Sequence, residues 1–169
     1  MRPCGTRCAC FSPRKGSAMA TIDLGWTAPA QGLDASAARR GILWQHERIR
    51  GLLEKARSVA DARLGGDASA EAVAEAVSDL HSTIEVHLAF EETVLVPLLR
   101  EDLPEGPARA DRMLDEHARQ RRMLASIHRE AYNHPQLPAL AVKLGFLASW
   151  FLVDMTEEEH ELSMLRSAA

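Results

Sequence analysis

In the segment 87-HLAFEETVLVPLL-99, a histidine and a glutamate stand four residues apart in a run that is otherwise largely apolar. Imidazole nitrogen and carboxylate oxygen both bind transition metals, and each is costly to bury without a compensating partner. The same combination recurs elsewhere: His46 follows an apolar stretch, His117 interrupts another, and Asp154 and Glu158 repeat the four-residue spacing near the C-terminus. These six residues are the candidate metal ligands of the chain. For His87 and Glu91 alone, a buried hydrogen-bonded pair is the better explanation, so the case depends on what brings all six together.

Helical periodicity supplies the positioning. Side chains four apart lie on one face of an α-helix, and Val77, Leu80, Ile84, His87, Glu91, Val94 and Leu98 form one such stripe. Ile42, Leu43, His46, Ile49, Leu53 and Ala56 form a second, and Met113, His117, Leu124 and Ile127 a third. The fourth comprises Leu140, Leu144, Leu147, Phe151, Asp154, Glu158, Leu162 and Leu165. Punctuation separates the four. The first helix should start at Asp34 or Ser36 and end at 65-GG-66, and the second should run from Ser69 to Arg100. After 102-DLPEGP-107, with Pro107 in its first turn, the third should end before 133-NHPQLP-138. The fourth should run from Ala139 to Arg166. There is no alternating β-branched run, so an all-α, up-down-up-down four-helix bundle is expected over residues 34–169.

In such a bundle the starts of helices one and three lie beside the ends of helices two and four. Counted from those ends, all the interruptions fall roughly 15–18 Å deep at 1.5 Å per residue. Three imidazoles and three carboxylates on one level would hold two divalent ions near charge balance, whereas a single zinc would leave surplus buried negative charge. The mixed donor set favours iron, with manganese or a single ion as the alternatives.

The segments 46-HERIRGLL-53, 87-HLAFEETVLVPLL-99, 115-DEHARQRRML-124 and 154-DMTEEEHELSML-165 together resemble the hemerythrin-like family, the HHE cation-binding domain. Their order matches that family's: a histidine, a His-x-x-x-Glu pair, a histidine, then a second ligand pair. The resemblance covers residues 36–166. It implies a left-handed four-helix bundle around a non-haem di-iron centre bridged by oxygen and two carboxylates. Glu91 and Glu158 would be the bridges, with His46, His87 and His117 as terminal ligands. The function so implied is sensing or handling of oxygen, peroxide or nitric oxide. The alternatives are a di-iron enzyme that decomposes peroxide or reduces nitric oxide, and a metal-free interaction bundle.

Two positions depart from the family pattern. Asp154 stands where the family has a histidine, which hardens the donor set and favours ferric iron. Arg121 stands four residues after His117, where oxygen-carrying members have another histidine. Arginine does not ligate metal; it is expected to pair with Asp154 or to attract an anionic ligand. A pairing with Asp154 would leave a lopsided or single-metal site.

Composition narrows the remaining classes. The net charge of -4, with no basic block, disfavours nucleic acid. The longest apolar run, 144-LGFLASWFLV-153, is short for a membrane span. Cys4, Cys8 and Cys10 leave the body without thiols, which fits a reducing cytoplasm. Residues 1–33 are expected to form a disordered tail, part of it an upstream extension if translation starts at Met19. A monomer or homodimer is expected.

Overall fold

The computed structural model describes residues 35–133 and 137–164. The tail expected over residues 1–33 lies outside them. The described residues are helical, with no strand among them. Helix α1 spans Ala35–Gly65. It ends on Gly66, whose φ of 90° suits the left-handed region that glycine enters without penalty. Asp67 N donates to Ala62 O at 2.8 Å and Gly66 N to Arg63 O at 3.2 Å, so two last-turn carbonyls are satisfied there. Helix α2, Ala70–Phe90, begins on the N-cap Ser69, whose hydroxyl oxygen accepts from Ala72 N.

The expected second helix continues to Asp102, with one wide turn inside it. Glu91–Leu95 form a π-helical turn, and α3 follows over Val96–Asp102. The amide of Val96 donates to Glu91 O, five residues back. Pro97 has no N–H with which to continue the α pattern, and the Thr93 hydroxyl donates to the carbonyls of Ala89 and Phe90. The extra residue in the turn changes the phase of the buried stripe. Leu95 and Leu99 are fully buried, and Val94 and Leu98, expected on that stripe, are only partly so.

Helix α4, Gly106–Asn133, follows a turn so tight that a Cβ on Gly106 would come 1.8 Å from the carbonyl oxygen of Leu99. Helix α5, Leu137–Met164, begins two residues before the expected Ala139. Cross-helix partners run in opposite sequence order in neighbouring pairs. Gln45 meets His87 while Lys55 meets Asp79, and His117 meets Glu91 while Arg121 meets Glu85. That is the signature of antiparallel neighbours.

The core has two apolar parts. The larger joins Ile49, Leu80, Ile84, Leu124, Leu147 and Phe151 with their neighbours. The smaller joins Ala35, Ile42, Phe90, Leu95, Leu99 and Leu162. Along α1, His46 separates Ile42 of the smaller part from Ile49 of the larger; along α5, Glu158 separates Met155 from Leu162. A polar layer therefore crosses the bundle between two greasy ones. Helix α5 is longer and more apolar than its ten-residue run suggests, and its 138–164 span meets the length and composition of a membrane helix. Leu140, Leu144, Leu147 and Phe151 bury one of its faces in the larger core, while Val142, Phe146 and Val153 stay exposed.

Candidate metal centre

The polar layer contains the predicted residues. His46, His87, Glu91, His117 and Glu158 are each 3 % exposed or less, and Asp154 is partly buried beside them. One donor atom from each of His46, His87, Glu91 and Glu158 lies within 4.8 Å of every other in that set, close enough to share one ion. Glu91 faces two ways. Its Oε1 is 3.4 Å from His87 Nε2 and 3.8 Å from His46 Nε2, and its Oε2 is 3.3 Å from His117 Nε2. His46 Nε2 is also 3.1 Å from Glu158 Oε2.

The outward nitrogen of every inward histidine is anchored. His46 Nδ1 lies 2.9 Å from Glu159 Oε1, His87 Nδ1 2.9 Å from Gln45 Oε1, and His117 Nδ1 3.1 Å from Glu92 Oε1. A donor N–H at Nδ1 leaves the lone pair at Nε2, facing the centre, which is how metal-ligating imidazoles are usually oriented. The anchors are themselves held: Arg50 donates to Glu159 at 2.7 Å, and Arg121 donates to Glu92 at 2.5 and 3.2 Å.

With the ring protons at Nδ1, by contrast, most of the inward atoms have no hydrogen to share. His46 Nε2, His117 Nε2, both oxygens of Glu91 and Glu158 Oε2 are buried without a hydrogen bond. Native proteins rarely leave buried polar atoms in this state, and five at one spot need a common partner. A cation meets that need, so the residues present fit a metal ion.

The protonation states agree. Burial depresses His87 to about 4, although the Glu91 charge opposes it, so its imidazole is neutral at physiological pH. Burial also works against a charged His46, but Glu158 and Glu91 outweigh it and raise His46 to about 10. Glu158 is itself pushed well up, by burial first and by the Glu91 charge next. The His46–Glu158 pair thus holds a proton at neutral pH, in the place where a metal would supply positive charge. Burial opposes ionisation of Glu91, yet the surrounding histidines hold it as a carboxylate.

Asp154 is arranged differently. It accepts a hydrogen bond from Gln120, and burial together with the Glu91 charge raises it to about 6. The expected pairing of Arg121 with Asp154 is not found. Arg121 lies against α2, bonded to Glu85 as well as Glu92. The two acids capture it because they are seven residues apart on the same face of the second helix.

The anchors Gln45, Glu92 and Glu159, and Gln120 behind Asp154, were missed by the sequence reading. Three of them adjoin a candidate ligand and Gln120 sits three residues after one, and only that adjacency could have marked them. Of the remaining histidines, His81, His128 and His160 lie elsewhere. His81 stacks on His128 with ring centroids 4.5 Å apart, and His160 is exposed. His134 lies outside the described residues. Phe151 is a core residue, whereas Trp44 is 44 % exposed.

A cavity of about 370 Å³ opens between α4 and α5, and Asp154 and Glu158 line it. Its walls include Arg109, Glu116, Trp150 and Glu161, with Trp150 Nε1 donating to Glu116 and Arg109 donating to Glu161.

Residues 40–165 match the family model described as the hemerythrin HHE cation-binding domain. The chain belongs to the hemerythrin HHE cation-binding family. No curated protein and no solved structure matches it significantly. The matched span includes all six candidate ligands, and membership supports cation binding by the buried His46, His87, Glu91 and Glu158.

Proposed function

We propose that this hemerythrin-type chain, an up-down-up-down bundle, is a non-haem di-iron protein that senses or handles oxygen, peroxide or nitric oxide. The observation that carries the reading is the set of five buried donor atoms without hydrogen bonds, on side chains whose far ends are anchored. The mixture of imidazole and carboxylate supports iron over a structural zinc. The two faces of Glu91 support two ions. His46, His87, Glu91 and Glu158 would hold one, and His117 and Asp154, sharing Glu91 and Glu158, would hold the other.

The second position has one imidazole against two at the first, and Arg121 contributes no donor to it. Bound iron would supply a redox-active Lewis acid, and the cavity beside Asp154 and Glu158 would admit a small ligand to it. That access also supports the rival reading, an enzyme turning over peroxide or nitric oxide. The lack of thiols in the bundle supports a cytoplasmic setting.

Elemental analysis of protein produced with iron tests the assignment. About two irons per chain are expected, with near-ultraviolet charge-transfer absorption that Glu91→Ala abolishes. Well-folded, iron-supplied protein without metal would overturn it. Steady peroxide turnover would favour the enzyme, and stoichiometric ligand binding without turnover the sensor.

A further inference from the structure

The cavity between α4 and α5 has a charge pattern of its own. Glu116, Asp154, Glu157, Glu158 and Glu161 line it, against Arg109 and Arg112. The acids are graded in depth. Glu157 is exposed, Glu116 and Glu161 are half-buried, and Glu158 is 3 % exposed with its Oε2 lacking a hydrogen bond. Arg109 is committed to Glu161, which leaves Arg112 as the cavity's remaining guanidinium. The seam itself is polar, crossed by Gln120–Asp154, Trp150–Glu116 and Arg109–Glu161, whereas the carboxylates at the other seams of this layer, Glu159 and Glu92, are already paired with Arg50 and Arg121.

We propose that this cleft is the entry route by which a hydrated divalent cation reaches the buried centre, with Glu157 as its outer attracting charge. The inference rests on the metal-binding reading above and adds where the ion enters. A dication crossing an apolar wall would lose its hydration without replacement, at prohibitive cost. The cleft instead offers carboxylate oxygens from the surface to Glu158, which belongs to the centre. An excess of acidic groups in a concave wall raises the local concentration of cations and their association rate, by an amount that falls with ionic strength. Glu157 makes no ion pair or hydrogen bond among the described residues, so its charge is free to act on an incoming ion.

The test is anaerobic stopped-flow mixing of full-length apoprotein with Fe(II), followed by tryptophan fluorescence, with elemental analysis of the end point. Glu157→Lys should slow the second-order uptake about tenfold and Glu157→Gln by less, both at unchanged final iron content. Both effects should vanish in 1 M salt, where the screening length falls to about 3 Å. Val153→Phe, which narrows the cleft, should slow uptake at any salt concentration, while Val142→Phe, exposed on the same helix but away from the cleft, should not. Uptake by the cleft variants at the wild-type rate would overturn the route, as would faster uptake by Glu157→Lys. Wild-type protein that takes up no iron would instead overturn the metal-binding reading, and this inference with it.

Discussion

Arg121 holds Glu92 through two guanidinium nitrogens, and Glu92 in turn anchors Nδ1 of His117. A residue that cannot bind metal thus acts on the centre from behind, through a carboxylate that fixes an imidazole. Charge runs in the useful direction. Arg121 lowers Glu92, although burial opposes this, and the resulting carboxylate favours an N–H at His117 Nδ1.

Replacing Arg121 with alanine should therefore loosen His117 without touching His46 or His87. Loss of an outer-shell partner weakens metal affinity by about 10–100-fold. In a metal titration resolving two sites, the weaker site should lose about tenfold and the tighter site should keep its affinity. Equal loss at both would show that Arg121 supports the fold rather than the second position. The ion pair itself is about a third exposed and would add little to stability.

Gln45→Leu makes the complementary test on the other side. Gln45 Oε1 is the observed partner of His87 Nδ1, and leucine keeps the volume while removing the acceptor. The tighter site should weaken by about tenfold or more, because the ring loses the bond that fixes its tautomer. Helix content by circular dichroism should stay unchanged. An unaltered titration would remove Gln45 from the centre.

The buried acids set metal binding against the stability of the empty protein. Glu158 is pushed well above its ordinary range by burial and by Glu91, so its ionised form is disfavoured in the metal-free fold. Glu158→Gln supplies a neutral group of the same shape. It should raise the melting temperature of the metal-free protein by a few degrees, about 1 kcal/mol at this size. Iron loading should fall sharply in the same variant. A lower melting temperature would mean that the acid stabilises the empty core and that its placement is not a concession to metal.

The sequence was legible where one side chain reports one environment. His46, His87, Glu91, His117 and Glu158 interrupt apolar stripes, and all five are buried in one layer between the two apolar parts of the core. It was less legible where a backbone detail or a third partner decides. The π turn at Glu91–Leu95 adds a residue to the helical phase, so straight 3.6-residue counting selects Val94 and Leu98 instead of Leu95 and Leu99. Pairing with Asp154 was one of two expectations for Arg121, the other being attraction of an anionic ligand. The arginine's choice of Glu85 and Glu92 depends on how α4 is rotated against α2, and no single stripe encodes that rotation. Gln45 and Gln120 read as ordinary polar residues beside the stripes, yet both are buried.

Protons and metal compete for the same atoms. His46, raised to about 10 by Glu158 and Glu91 against the effect of burial, shares with Glu158 a proton that an ion entering the empty protein must displace. Because this folded value lies above the ordinary 6.5, its stabilising contribution is complete below about pH 6.5 and is lost as the pH rises towards 10. The empty protein should thus lose this support between pH 7 and 9 while metal affinity rises over the same interval. Calorimetric titrations in two buffers of different ionisation enthalpy should reveal net proton release on binding. Binding without proton release would remove the charged His46 from the starting state.

Asp154 is the ligand position that most separates this chain from the family pattern. Its carboxyl is raised to about 6 by burial and remains largely ionised at neutral pH, with Gln120 donating to it. In the iron-loaded protein that charge would sit at the second position, beside His117, and favour the ferric state. Asp154→His exchanges the charge for a neutral donor and should raise the reduction potential. A rise of about 60 mV would correspond to a tenfold change in the ferrous-to-ferric ratio for one electron. Gln120→Leu, which removes the hydrogen bond and keeps the acid, should leave a lower potential than Asp154→His does. Redox titration of the three proteins decides the matter. If Asp154→His titrates with the wild type, the carboxylate does not reach the iron and Gln120 holds it back from the centre.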